Sequence, residues 1–182
     1  STIGVIALAR QVKPYPSKRE MEARLCNGES QTGSLMAMAL QALGVEAIYM
    51  TGFQSGFITN AVHSKAFIKE INTQRVEQYL NEGKIVVVAG FQGITEDGHI
   101  TTLGRGGSDT TAVAIAAKLD CPCEIYTDVD AVYRVDPRIY PNAKPLSRIY
   151  YEEMMEMAAL GAGVLATRNL ELAKKYRVEP SL

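Results

Sequence analysis

The sequence predicts an α/β fold, a mostly parallel sheet sandwiched by helices. Three observations predict it. Short apolar segments with strand character alternate along the chain with segments of helical spacing. The run KIVVVA at 84–89 is continuous and β-branched, the pattern of a central parallel strand covered on both faces. The stretch TTLGRGGSDTTAVAIAAKL at 101–119 joins an apolar strand to a helix through a turn crowded with glycine. Ligands of such folds sit at the carboxyl ends of strands, and this turn lies at one.

Composition narrows the class. The 182 residues are 47% hydrophobic and 21% charged, which suits one domain, 1–182, with a sizeable core. A net charge of −1 points to neither nucleic acid nor a membrane surface as partner. No apolar run approaches the roughly 18 residues needed to span a bilayer, and the first residues lack the basic-then-apolar layout of a signal peptide. Three cysteines argue against a disulfide framework and fit a reducing cytoplasm. Cys121 and Cys123 are one residue apart and the two histidines are distant, so no structural zinc site and no metal ligands are assigned.

Each element has a local reason. Residues 1–10 (STIGVIALAR) read as the front of an amphipathic helix running to about Val12, with Ile3, Ile6, Leu8 and Ala9 apolar. Pro14 and Pro16 end it. Ser17 caps a second helix, with Glu20 three residues on in a capping box. That helix carries the apolar Met21, Leu25, Leu35, Met36, Met38, Ala39, Leu40 and Leu43, is interrupted by Gly28 and Gly33, and stops at Gly44. Glycine inside a helix costs about 1 kcal/mol against alanine, so a close approach by a ligand or another element is expected there. Residues 45–50 read as a buried strand, 51–64 as irregular, and 66–71 as a short alternating segment. Thr73 caps a helix to about Asn81, which Gly83 ends. After the strand at 84–89, residues 94–103 read as a hairpin turning at Asp97-Gly98. Ser108 or Asp109 is the expected N-cap of the next helix. A strand at 123–126, a proline-bearing loop at 133–145 and helices at 151–160 and 164–176 complete the pattern.

Three groups of residues follow strands and can converge on one crevice: Phe91 with Gln92, Arg105 with Ser108 and Asp109, and Thr127 with Asp128. Bare N–H groups at a helix start attract anions, the glycines allow close approach, and Arg105 adds a planar fork suited to carboxylate or phosphate. A tight turn with a surface arginine is the plain alternative. The motif is neither G-x-x-x-x-G-K-[ST] nor G-x-G-x-x-G. Glu29, between Gly28 and Ser30, reads alone as a solvated helix glutamate, and the flanking glycines make it a candidate. Asp128, Tyr133, Asp136 and Arg138 form a charged loop able to hold a base and phosphates, or a plain surface loop. His63 and His99 read as surface or hairpin residues and receive no role, and Met154, Met155 and Met157 read as core.

FQGITEDGHITTLGRGGSDTTAVAIAA, then IYTDVDAVYRVDPR, then YYEEMMEMAALGAGVL, together with PSKREMEARLCNGE, resemble the catalytic domain of the aspartate kinase family along nearly the whole chain. The resemblance implies an amino-acid-kinase fold. It implies transfer of the ATP γ-phosphoryl group, with Mg2+, to the side-chain carboxylate of L-aspartate. It further implies that Arg105 grips a substrate carboxylate and Glu29 binds the aspartate amino end. Phe91 and Ser108 would line the pocket, and Asp109 would organise the charged centre. Gly106 and Gly107 of the glycine turn, with Thr127, Asp128, Tyr133 and Arg138, would hold ATP. Phosphoryl transfer needs positioning and charge neutralisation more than covalent help, and a carboxylate nucleophile needs no general base.

The chain departs from the family pattern at several places. The family's opening K-F-G-G-T-S loop, whose lysine neutralises the phosphoryl group, is not in this sequence. The lysine of G-A-K-V-L is Gly163, the following histidine and proline are Ala166 and Thr167, and the glycine of the TDV loop is Ala131. The family's regulatory domains are likewise not in the 182 residues. Loss of the loop lysine is expected to slow turnover by roughly a hundredfold or more, leaving the chain by itself inactive. A piece of an aspartate kinase is thus one expectation. A non-catalytic relative that binds aspartate or nucleotide, or mediates subunit contact, is the other. A sibling kinase for glutamate, carbamate or a nucleoside monophosphate is a third, against which Arg105 and Glu29 favour an amino acid. An exposed sheet edge predicts self-association or poor solubility, and a homo-oligomer is expected.

Overall fold

Helix α1 (Thr2–Val12) leads through the two prolines into the long helix α2 (Lys18–Ala42). The Ser17 N-cap expected at its start is present, with Glu20 N–H donating to Ser17 Oγ at 3.3 Å, while the Glu20 carboxylate pairs with Arg19 and does not complete the capping box. At its end Gly44 takes φ +80° and the chain turns away. The structure is a computed structural model and describes residues 2–104, 106–126, 133, 139–140, 142–144, 146 and 180–181. Two compact units divide the chain, Ser1–Thr111 and Ala112–Leu182.

In the first unit, β1 (Ala47–Met50) pairs in parallel with β4 (Ile85–Val88), in register Ala47↔Ile85 through Met50↔Val88. The β-branched run thus has a parallel partner as expected, but among the described residues only one, and with Ile85 exposed and the rest half-buried it lacks the full burial of a central strand. Between them lie β2 (Phe57–Thr59), β3 (Ile68–Ile71) and α3 (Gln74–Asn81). A four-stranded sheet runs β3–β2–β5–β6, with β5 (Gln92–Ile94) and β6 (Ile100–Thr102) forming the expected Asp97-Gly98 hairpin. α2 packs against β1, β4 and β6, and α1 packs on α2. Phe57 is wholly buried at the start of β2, a burial that contributes about 1.5–3 kcal/mol. In the second unit the core gathers Val113, Ala116 and Cys123, and β7 (Cys123–Glu124) pairs in parallel with β8 (Pro180–Ser181). Among the described residues three of the five strand pairings are parallel.

Several expectations need correction. β2 lies inside a segment read as irregular, because three residues are too few to show a period. Helix α4 (Gly107–Leu119) starts before Ser108 and Asp109, so these occupy its first turn and are not its cap. Gly28 and Gly33 do not interrupt α2, which is continuous. Gly33 has the reason expected of it: a Cβ there would lie 2.7 Å from the Tyr49 ring, which presses on the helix. The side of α2 that is buried carries Glu22, Cys26 and Ala37, whereas Leu35, Met36, Met38 and Leu43 are exposed. The expected helices at 151–160 and 164–176 lie outside the described residues. Among the described residues no helix is long and apolar enough to cross a membrane.

Candidate active site

The carboxyl end of β4 runs through Ala89 and Gly90 into Phe91, and β6 runs through Leu103 toward α4. Phe91 has φ +71°, a left-handed conformation that costs a bulky residue about 1–2 kcal/mol. Hydrogen bonds on both sides hold it there. Its N–H donates to Thr111 Oγ1 at 3.0 Å, and its carbonyl accepts from Leu103 N–H at 2.8 Å. The Thr111 hydroxyl donates in turn to Gly107 O at 3.0 Å. One buried hydroxyl therefore ties the strained residue to the first turn of α4.

The two segments touch at backbone distance. A Cβ on Gly107 would lie 2.8 Å from the Phe91 ring and 3.0 Å from Leu103 Cβ, and one on Gly90 would lie 3.1 Å from Ser108 Cα. Only residues without side chains permit this approach. Phe91, Gly107 and Ser108 are thus brought together, with Gly106 and Asp109 adjoining them in sequence. Ser108 is exposed, and Asp109 and Phe91 are half-buried. The start of α4 carries the partial positive charge that favours anions.

Glu29 is half-buried on α2, and burial pushes its carboxyl up, with its backbone hydrogen bond opposing the shift. Burial likewise pushes Asp109 up. One turn before Glu29, the Cys26 thiol is pushed up to about 12, first by burial and then by the carboxyls of Glu29 and Glu22. The Cys26 carbonyl accepts from Gln92 Nε2 at 3.4 Å, so this part of α2 reaches the residue that follows Phe91. At exposed Gly28 nothing stands within 4 Å of a built Cβ. Half-desolvated acids gain most from a cationic partner.

Arg105, Thr127, Asp128 and Arg138 lie outside the described residues. Tyr133 is half-buried in the second unit. Sequence reasoning missed Glu22 and Thr111, and it set Gln92 beside Phe91 in the crevice, whereas Gln92 is fully buried and bonded to α2. It also gave His63 no role, whereas His63 Nδ1 donates to Glu22 Oε2. One signal was available for Glu22: it stands seven residues before Glu29, on the same helix face. His99 accepts from Arg19 Nε at 3.2 Å near the surface.

The sequence pattern of the Amino acid kinase family matches residues 6–179. The chain belongs to the amino acid kinase family. The aspartokinase of Bacillus sp. (strain MGA3) is 54% identical over 179 residues, covering 98% of this chain and 44% of that protein. The crystal structure of aspartate kinase from Synechocystis matches with a TM-score of 0.83 at 45% identity, covering 98% of this chain and 30% of that one. E. coli aspartokinase III, solved in complex with aspartate and ADP, matches with a TM-score of 0.85 at 31% identity, covering 95% of this chain and 40% of that one. The chain therefore spans less than half the length of these relatives.

Proposed function

We propose that residues 1–182 are part of the catalytic domain of an aspartate kinase. The reaction is transfer of the γ-phosphoryl group of ATP to the side-chain carboxylate of L-aspartate, giving 4-phospho-L-aspartate, the first step toward lysine, threonine and methionine. The observation that carries this reading is 54% identity to an aspartokinase along 98% of the chain. Glu29 receives the substrate amino group, and its half-buried carboxyl gains from that cation. Phe91 and Ser108 line the pocket, and Arg105 grips a carboxylate with its planar fork. Gly106 and Gly107 let nucleotide phosphates approach the start of α4, while Thr127, Asp128, Tyr133 and Arg138 hold the rest of the nucleotide.

An aspartate carboxylate oxygen attacks the γ-phosphorus as the bond to the ADP oxygen breaks. No proton leaves the nucleophile, so no general base is required. The contribution of the protein is alignment and charge. The half-buried Asp109 would help hold an Mg2+ ion, which would supply charge neutralisation at the phosphates. We place the protein in the cytoplasm, where Cys26, Cys121 and Cys123 stay as thiols, and read it as a homo-oligomer, for which exposed Leu35, Met36 and Met38 offer apolar surface.

Thermal unfolding with ligands tests the reading, because binding to the native state raises apparent stability by mass action. L-aspartate is expected to raise the midpoint, L-glutamate and UMP to leave it unchanged, and Mg-ATP to raise it separately. A rise with glutamate or UMP and none with aspartate would sink the assignment.

A further inference from the structure

Two fully buried polar side chains have no part in the pocket just described. Glu22 is 1% exposed and Gln92 0%. Glu22 Oε1 accepts from Ser64 N–H at 2.7 Å, Thr102 N–H at 2.7 Å and Thr102 Oγ1 at 2.8 Å. Its Oε2 accepts from His63. Gln92 Oε1 accepts from Gly52 N–H at 3.4 Å, and its Nε2 donates to Cys26 O at 3.4 Å. Thr102 and Gln92 face one another across the β5–β6 ladder. Helix α2 is therefore joined to the hairpin at two points, one residue before Leu103 and one residue after Phe91.

A buried carboxyl group is a poor device for stability alone. Its desolvation is costly, and apolar residues of similar volume often serve as well. Four directed donors instead fix a position, because sliding α2 along the hairpin would leave them unsatisfied. Apolar contacts would tolerate such a slide. The position so fixed matters, since Glu29 lies two turns along the same helix face from Glu22.

We propose that Glu22 and Gln92 are positioning residues that set the register of α2, and with it Glu29, against the two strands that carry Phe91 and the glycine turn. What Glu29 is positioned for rests on the aspartate reading; the register itself does not.

Amide hydrogen exchange on the unliganded chain, read by mass spectrometry, tests the register. Gln92→Met keeps the volume and removes both side-chain hydrogen bonds of Gln92, to Gly52 and to Cys26 of α2, while leaving the Glu22 link in place. Exchange is expected to rise tenfold or more in segments 26–33 and 100–110, and to stay within twofold in 47–50 and 85–88. Glu22→Gln keeps an acceptor for Thr102, supplies a second reading of the same pattern, and decides the matter if Gln92→Met does not fold. An equal rise in all four segments, no rise at all, or loss of the whole fold in both variants would overturn the proposal. Calorimetry adds a second arm: Gln92→Met is expected to weaken L-aspartate binding about tenfold with Glu29 untouched, and unchanged affinity would overturn the positioning role. A wild-type chain that binds no aspartate would sink the aspartate reading, while the exchange pattern would still decide the register.

Discussion

Gly28 and Gly33 stand on one helix, five residues apart, and alanine at the two positions should act with opposite signs. At Gly28 a new Cβ meets nothing within 4 Å. The substitution then delivers the helix-propensity gain alone, about 1 kcal/mol. At Gly33 the Cβ would lie 2.7 Å and 2.8 Å from ring carbons of Tyr49 and 3.8 Å from Val87 Cγ1. The ring belongs to strand β1 and cannot swing aside as a flexible chain end would. Overpacking of this kind costs about 1–3 kcal/mol, which the propensity gain offsets only in part. Gly33→Ala should therefore end about 0–2 kcal/mol below wild type, with the two variants about 1–3 kcal/mol apart. For a chain of this size each kcal/mol moves the thermal midpoint by about 2–4 °C. Circular dichroism melts of the three proteins, backed by urea titrations, measure the gap. Equal stabilisation by both alanines would mean that Tyr49 does not press on the helix. Destabilisation by Gly28→Ala would mean that the space at Gly28 is filled.

Thr111→Val should cost about 1–3 kcal/mol in urea unfolding, because it leaves the Phe91 N–H without its acceptor while preserving volume. A cost under half of one kcal/mol would show that the left-handed Phe91 does not depend on that hydroxyl. The folded Glu29 carboxyl holds its proton more tightly than the unfolded one, so ionisation costs the folded state stability as pH climbs past the ordinary carboxylate range. Glu29→Gln should accordingly raise the unfolding free energy at pH 7, by less than about 1 kcal/mol after solvent screening, with the midpoint moving accordingly, and leave both unchanged near pH 3. A midpoint lowered at pH 7 would refute that sign. Among the thiols, exposed Cys121 should react with a disulfide reagent within seconds, whereas buried Cys26 and Cys123 wait for unfolding. Prompt reaction of Cys26, whose thiol is pushed up to about 12, would contradict its burial.

Elements with a strong local signal were legible in the sequence. The N-cap at Ser17, the parallel pairing of β4 and the Asp-Gly hairpin all stand where their residues place them. β2 was not, because its partners β3 and β5 lie far along the chain and define it more than its own three residues do. Of the candidate site, the glycines were legible as points of close approach, and Gly107 and Gly33 serve as such. Thr111 was not, since a threonine inside an apolar helix reads as filler until the strained carbonyl-to-amide turn beneath it is seen. Helix α2 misled most. Its leucines and methionines suggest the face turned to the core, yet a glutamate, a cysteine, a glycine and an alanine turn inward. Small and polar residues let the helix lie close to β1 and β6, and bulk on that side would hold it off.

That choice has a consequence for how the first unit is built. Its fully buried residues include Phe57 and Leu103, but also Gln92, Glu22, Thr59, Thr101, Thr102 and Ser55. Apolar packing is non-directional and constrains the register of a helix on a sheet only weakly. Hydrogen bonds to named backbone atoms constrain it strongly, because each one lost leaves a buried group unsatisfied. Gln92, Thr101 and Thr102 lie on β5 and β6, the hairpin from which Phe91 and the glycine turn depart, and Glu22 and Thr59 hydrogen-bond to that hairpin. In the second unit Val113, Ala116 and Cys123 are packed as an apolar cluster instead. Under the proposed aspartate kinase reading, aligning a carboxylate with a phosphoryl group suffers more from a small misplacement than from modest instability. The directed bonds stand where a small misplacement would carry that cost.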